Sequence, residues 1–154
     1  MDVYYFVIAI TFFLCYLIKV PDNDSKAYLK KVCWVFVPIA LFGAFRVNFG
    51  HDYTTYEEWY HLYHSSLSNI SKDDHSEIGY QILNYYVPSW RMMLILVSTL
   101  VVSGYVLIYS KYVEPKMLMV AMLFTMFYPD QTFFIQFVTM RNGIAIAGTY
   151  LCLP

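Results

Sequence analysis

Four residues with useful chemistry or a permissive backbone lie close together after an apolar segment: Arg46, Gly50, His51 and Asp52. Charges at the edge of a bilayer are costly to desolvate, so such a cluster indicates a functional site. The planar Arg46 guanidinium suits phosphate oxygens, and the Asp52 carboxylate suits a general base or an ion-pair partner for the arginine. The alternatives are a snorkelling Arg46 that only sets helix depth and an Asp52 that assists a helix N-terminus.

Two further charged residues are candidates for the same site. Arg141 has apolar sequence on both sides, which favours a functional cation over an anchor. Glu77 is expected to open a short helix, where it is either a site residue or a capping-region acid. Arg46 and Arg141 together would hold a phosphorylated group and stabilise negative charge on it.

The composition places these residues in a membrane protein. The chain has 154 residues, of which 59% are hydrophobic and only 14% charged, whereas soluble domains have about 45–50% and about 25%. We therefore expect an integral membrane protein. The net charge is −1, and no basic patch indicates nucleic acid as a partner.

The predicted fold class is all-α: a polytopic integral membrane helical bundle with an external loop that contains short interfacial helices. One transmembrane domain covers residues 1–154, truncated at the C-terminus, with a retained first helix. Whether the fourth span ends at Tyr128 or continues through Phe137 is open, with the Pro-Asp step favouring an end. The predicted spans are 3–19, 32–49, 92–110, 113–128 and 132–153, and the external loop is 50–91.

The external loop carries its own helical signals. Thr54 and Glu57 have the spacing of a capping box. Tyr56, Trp59, Tyr60 and Tyr63 then recur at the spacing of one helix face, which suits a helix lying at the membrane interface. A second short helix is predicted from Glu77 to Tyr86.

Basic residues predict the orientation. The connectors after the first and third spans carry most of the lysines, and the positive-inside rule assigns both connectors to the cytoplasm. The N-terminus, the 50–91 loop, Arg46 and Arg141 then share the external side. The lysines concerned are Lys19, Lys26, Lys30, Lys31, Lys111 and Lys116.

Other chemistries have weaker support. His61 and His64 are spaced i, i+3, with His51 and His75 in the same loop, but nothing defines a tetrahedral metal set. The three cysteines are most simply small membrane-buried side chains. The sequence contains no glycine-rich phosphate loop, HExxH or GxSxG motif, so we predict no metal and no cofactor.

Three motifs in order resemble the EpsG-like proteins, which are Wzy-type bacterial polysaccharide polymerases. The first matches the family's FR…G-x-D-Y-x-x-Y signature and the second its E-x-G-F/Y-x-x-L-N element. The third resembles its arginine helix, although Asn142 replaces the usual Gln. The matching residues are Phe45-Arg46-x-x-x-Gly50-x-Asp52-Tyr53-x-x-Tyr56, Glu77-Ile78-Gly79-Tyr80-x-x-Leu83-Asn84 and Gln136 to Ala145.

The resemblance covers the N-terminal portion of a longer family pattern and implies an activity. Family enzymes join undecaprenyl-pyrophosphate-linked repeat units in exopolysaccharide, capsule or O-antigen biosynthesis, at the outer face of the bacterial cytoplasmic membrane. Lipid-linked oligosaccharide and membrane lipid are the implied ligands, and chain-length regulator and flippase proteins the implied protein partners. An inactive fragment or non-catalytic membrane subunit is the alternative. Charges gathered at one interface count against a transporter.

By motif match, the resemblance also implies roles for individual residues. Arg46 and Arg141 would bind the pyrophosphate, and Asp52 would orient or deprotonate the acceptor hydroxyl. Glu77 would support the site or bind sugar. A further group would stack on sugar rings or pack within the protein: Tyr53, Tyr56 and Trp59.

Overall fold

A computed structural model describes residues 2–20, 24–48, 52–66, 78–127 and 140–152. Within these ranges the chain forms helices and their connections, without a β-strand, which confirms the all-α class. The helices are α1 (Asp2–Leu17), α2 (Ser25–Phe45), α3 (Tyr53–Ser65), α4 (Ile78–Tyr86), α5 (Trp90–Tyr112), α6 (Leu118–Phe127) and α7 (Met140–Cys152).

Helix α2 is defined by a local cap and by its burial against the rest of the chain. The Asp24 carboxylate accepts hydrogen bonds from the backbone N–H groups of Lys26 and Ala27, both at 3.0 Å, which satisfies two of the free donors of the first turn. The helix continues through Pro38 and ends at Phe45. Its end delivers Arg46 to the candidate site.

Helix α5 is the central element, since it packs against both α2 and α7. It runs antiparallel to α2. At one end the Tyr28 hydroxyl donates to the Tyr109 carbonyl oxygen at 3.3 Å, and at the other Arg91 Nη1 donates to the Ala44 carbonyl oxygen at 3.4 Å. The α2 end that carries Arg46 therefore meets the start of α5.

A close approach joins α5 to α7. A Cβ atom at Gly104 would lie 3.2 Å from the Ala147 Cα and 3.3 Å from the Tyr150 Cβ. Small residues at such crossings let two helix backbones come within van der Waals contact, which is a principal source of helix association in lipid.

Two helices, α2 and α5, are long and apolar enough to cross a membrane, and α1 and α6 are shorter apolar helices. At a rise of about 1.5 Å per residue, 21 and 23 residues span roughly the 30 Å of a bilayer core. Large apolar side chains face outward, among them Phe6, Trp34, Leu41 and Phe124. These features are consistent with a membrane protein. The division into five spans stays a prediction, and the break near Tyr128 lies outside the described residues.

Candidate functional site

Arg46 lies at the point where the chain leaves α2. It follows the last helical residue with an extended backbone, at φ −59° and ψ 145°, and two residues later Asn48 adopts a positive φ of 49°. Asparagine tolerates this left-handed conformation better than most residues do. The turn keeps Arg46 against the protein, where its side chain is only 6% exposed.

Tyrosines from two helices lie close enough to Arg46 to influence its charge. Tyr53 and Tyr56 come from the start of α3 and Tyr80 from α4, and all three act on Arg46 electrostatically. Burial lowers the pKa of Arg46 to about 10, and the tyrosines oppose that shift. Arg46 is therefore a buried arginine that stays protonated at neutral pH.

Helix α3 is amphipathic, and its buried face consists of tyrosines. Tyr56 contacts Tyr80 of α4 edge to face, with ring centroids 5.8 Å apart, and the Tyr60 hydroxyl donates to the Val87 carbonyl oxygen at 2.9 Å. The predicted aromatic stripe does form one helix face. This face packs within the protein, because its tyrosines are buried against α4 and the start of α5. The location of the helix at the membrane interface stays a prediction.

The predicted capping box at Thr54 is wrong. Helix α3 begins at Tyr53, with Asp52 at the N-cap position, so Thr54 lies within the first turn. The Asp52 carbonyl oxygen accepts the Tyr56 N–H at 3.0 Å. The helix starts earlier than predicted because burial of the Tyr53 side chain draws that residue into it.

Asp52 is half-buried, and its carboxylate makes no capping hydrogen bond. Among the described residues it also forms no ion pair with Arg46. Its N-cap position at α3 agrees with the structural alternative from the sequence, an acid that assists a helix N-terminus. The role of Asp52 as a base stays a prediction.

The other candidates are placed less completely. The Arg141 backbone belongs to α7, whereas Gly50, His51 and Glu77 lie outside the described residues. Trp59 is half-buried and meets Tyr56 edge to face at 5.5 Å. Tyr53 and Tyr56 are 7% and 4% exposed, so both serve as packing residues, and sugar stacking by them stays a prediction.

Sequence reasoning missed Arg91. This exposed residue opens α5 next to Trp90, with its guanidinium carbon 6.0 Å from the centroid of the Phe45 ring. The structure thus brings a second cation to the end of α2. The sequence did contain one signal for Arg91. It is a cation at the predicted external end of a span, where the positive-inside rule expects few cations, so membrane topology does not explain its presence.

His64, one of the weak metal candidates, has a structural role instead. Its Nδ1 lies 3.2 Å from the Asn84 carbonyl oxygen and 3.1 Å from that of Tyr85, and its ring stacks on Tyr60. Both carbonyls belong to the last turn of α4. His64 therefore joins the end of α3 to the end of α4.

Comparison with known proteins yields one match. The model of the EpsG family matches residues 30–154, which include most of α2 and all the candidate site residues. No curated protein matches the chain, and no solved structure does. Because the family match extends over most of the sequence, from the first third of α2 through α7, the chain belongs to the EpsG family.

Proposed function

We propose that the protein is a membrane glycosyltransferase that polymerises undecaprenyl-pyrophosphate-linked repeat units in bacterial exopolysaccharide, capsule or O-antigen biosynthesis. Membership of the EpsG family supports a polymerase-like role in polysaccharide biosynthesis. The observation that carries the finer assignment is Arg46, a buried and charged guanidinium near three tyrosines at the end of a helix long enough to cross a membrane.

A buried arginine in this position suits a diphosphate. Guanidinium groups bind phosphate oxygens through parallel N–H donors, and the interaction is stronger where water is excluded. Burial restricts the guanidinium before substrate arrives, so little reorganisation would accompany binding. Arg46 would then hold the diphosphate in the ground state and stabilise the charge that develops when it leaves.

In the proposed reaction, a hydroxyl oxygen at the non-reducing end of the new unit attacks the anomeric carbon of the growing glycan. The bond from that carbon to the pyrophosphate oxygen breaks, and the electron pair leaves with the lipid pyrophosphate. Asp52 takes the hydroxyl proton as a general base. Arg46 and Arg141 stabilise the leaving group, and Glu77 and Trp59 bind sugar.

The proposed location is the bacterial cytoplasmic membrane, crossed several times, with the N-terminus and the 50–91 loop outside. The antiparallel arrangement of α2 and α5 supports this orientation, because it separates the charges. Arg46 and Arg91 lie at one end of the pair. At the other end are Lys26, Lys30, Lys31, Lys111 and Lys116, as the positive-inside rule requires for a cytoplasmic face.

The test is replacement of the arginines in the complete gene, followed by gel analysis of polymer length and of lipid-linked intermediates. We expect Arg46→Ala and Arg141→Ala to abolish long chains while single repeat units accumulate on lipid. Lys30→Gln, an exposed cation near the opposite end of α2, is the matched control and should leave chain length unchanged. Wild-type chain lengths in both arginine variants, at normal membrane abundance, would reject the assignment and favour a non-catalytic subunit.

A further inference from the structure

A second arginine, Arg91, is attached to the same helix end as Arg46. Its Nη1 donates to the carbonyl oxygen of Ala44, two residues before Arg46, at 3.4 Å. Its guanidinium also lies over the Phe45 ring. A hydrogen bond and a cation–π contact restrict the group to one region, against the end of α2.

The two arginines are also connected through α3. Trp90, the neighbour of Arg91, donates from its indole Nε1 to the Tyr53 hydroxyl at 2.9 Å, and Tyr53 is one of the tyrosines that act on Arg46. The contacts therefore join Arg46, Tyr53, Trp90 and Arg91 in sequence. The arrangement couples a buried cation and an exposed cation within one small region.

Arg91 keeps most of its binding capacity. A guanidinium has five N–H donors, and in the described part of the chain Arg91 uses one of them, on Ala44, and takes part in no ion pair. A cation at a helix C-terminus also stabilises the helix, since it complements the free carbonyl groups there. A role at the helix end does not use the remaining donors of this exposed side chain.

We propose that Arg91 binds the second phosphate of a lipid diphosphate whose first phosphate is held by Arg46, so that Arg91 selects diphosphate over monophosphate carriers. This inference rests on the proposed function. One buried and one exposed cation at the same helix end match a ligand with two linked anionic groups. A prenyl monophosphate has only one such group and leaves the exposed arginine without a ligand.

The experiment measures binding of farnesyl diphosphate and farnesyl monophosphate to the protein expressed from its complete gene, in lipid nanodiscs. Arg91→Gln and Arg91→Met should each weaken binding of the diphosphate about tenfold, while binding of the monophosphate changes less than about twofold. Met keeps an apolar stem over Phe45, so a purely packing role would spare that variant. Lys111→Gln, an exposed cation at the opposite end of α5, is the control and should retain full discrimination.

The outcomes separate the two proposals. If wild type binds the diphosphate more tightly than the monophosphate but the Arg91 variants discriminate equally well, the role of Arg91 is rejected and the proposed function stands. If wild type shows no preference for the diphosphate, the proposed function fails as well. Inorganic pyrophosphate is the third ligand: weak competition supports a lipid-borne group, and competition as strong as that of farnesyl diphosphate would overturn the lipid assignment.

Discussion

The Trp90 indole Nε1–H donates a hydrogen bond of 2.9 Å to the Tyr53 hydroxyl, and the two rings meet edge to face at 5.6 Å. This pair connects the first residue of α5 with the first residue of α3, 37 positions apart. It keeps α3 close to the end of α2, where Arg46 lies. The contact thus joins the start of α3 to the start of α5, which meets the end of α2.

The Tyr53–Trp90 pair should show measurable energetic coupling. We expect Tyr53→Phe and Trp90→Phe each to lower stability, with a coupling of about 1 kcal/mol, since each removes the same hydrogen bond. A double-mutant cycle from thermal unfolding in detergent measures it. Tyr16→Phe, an exposed tyrosine of α1, is the control and should stay within about 0.5 kcal/mol of wild type. Additive single effects would contradict the role given to this pair.

Loss of the positive charge on Arg46 should weaken diphosphate binding, and this loss occurs only in alkaline solution. Burial lowers the pKa of Arg46 to about 10, so the cation is present at neutral pH and is lost as pH rises through about 10. The ligand is already fully charged there, because the second phosphate pKa is about 6. The affinity for farnesyl diphosphate should therefore be constant to about pH 9 and then fall.

A titration of binding up to about pH 10.5 checks this expectation. Arg91→Gln should bind more weakly at every pH yet retain the same alkaline decline, because that decline belongs to Arg46. An affinity that stays constant to the upper end of the range would show that Arg46 is not the group responsible.

Two glycines on neighbouring helices should respond in opposite directions. Gly104→Leu should destabilise the protein by about 1–3 kcal/mol, since even a Cβ there would meet Ala147 Cα at 3.2 Å. Gly148→Ala should stabilise it by roughly 0.5–1 kcal/mol, since a Cβ at Gly148 has no neighbour within 4 Å. Thermal unfolding of both variants measures the difference, and equal effects would contradict the α5–α7 packing.

Loss of the His64 ring should loosen α3 from α4. His64→Ala removes a donor to two carbonyl oxygens at the end of α4 and a stacked ring, at a cost of about 1 kcal/mol. Faster hydrogen exchange in α4 is the expected readout. His61→Ala is the matched control, because His61 is exposed and meets Tyr60 only edge to face. Equal exchange in the two variants would count against this role of His64.

Local signals predicted much of the fold. The apolar runs predicted the helical class and the two long helices, and the i, i+3, i+4, i+7 aromatic spacing predicted that α3 has one tyrosine face. What lay against that face was not predictable, because an aromatic stripe is equally suited to a membrane interface and to a neighbouring helix. The helix start at Tyr53 likewise followed from burial, which outweighed the capping spacing at Thr54.

The sequence by itself determined which residues carry charge and that Arg46 comes near the end of an apolar segment, because hydrophobic periodicity and charge position are local properties. Only the tertiary structure decided that Arg46 is buried among tyrosines and that Arg91 joins it. The contact of Arg91 with Ala44 links residues 47 positions apart. Such a contact arises because α2 and α5 pack antiparallel, and this packing depends on the shapes of both helices together.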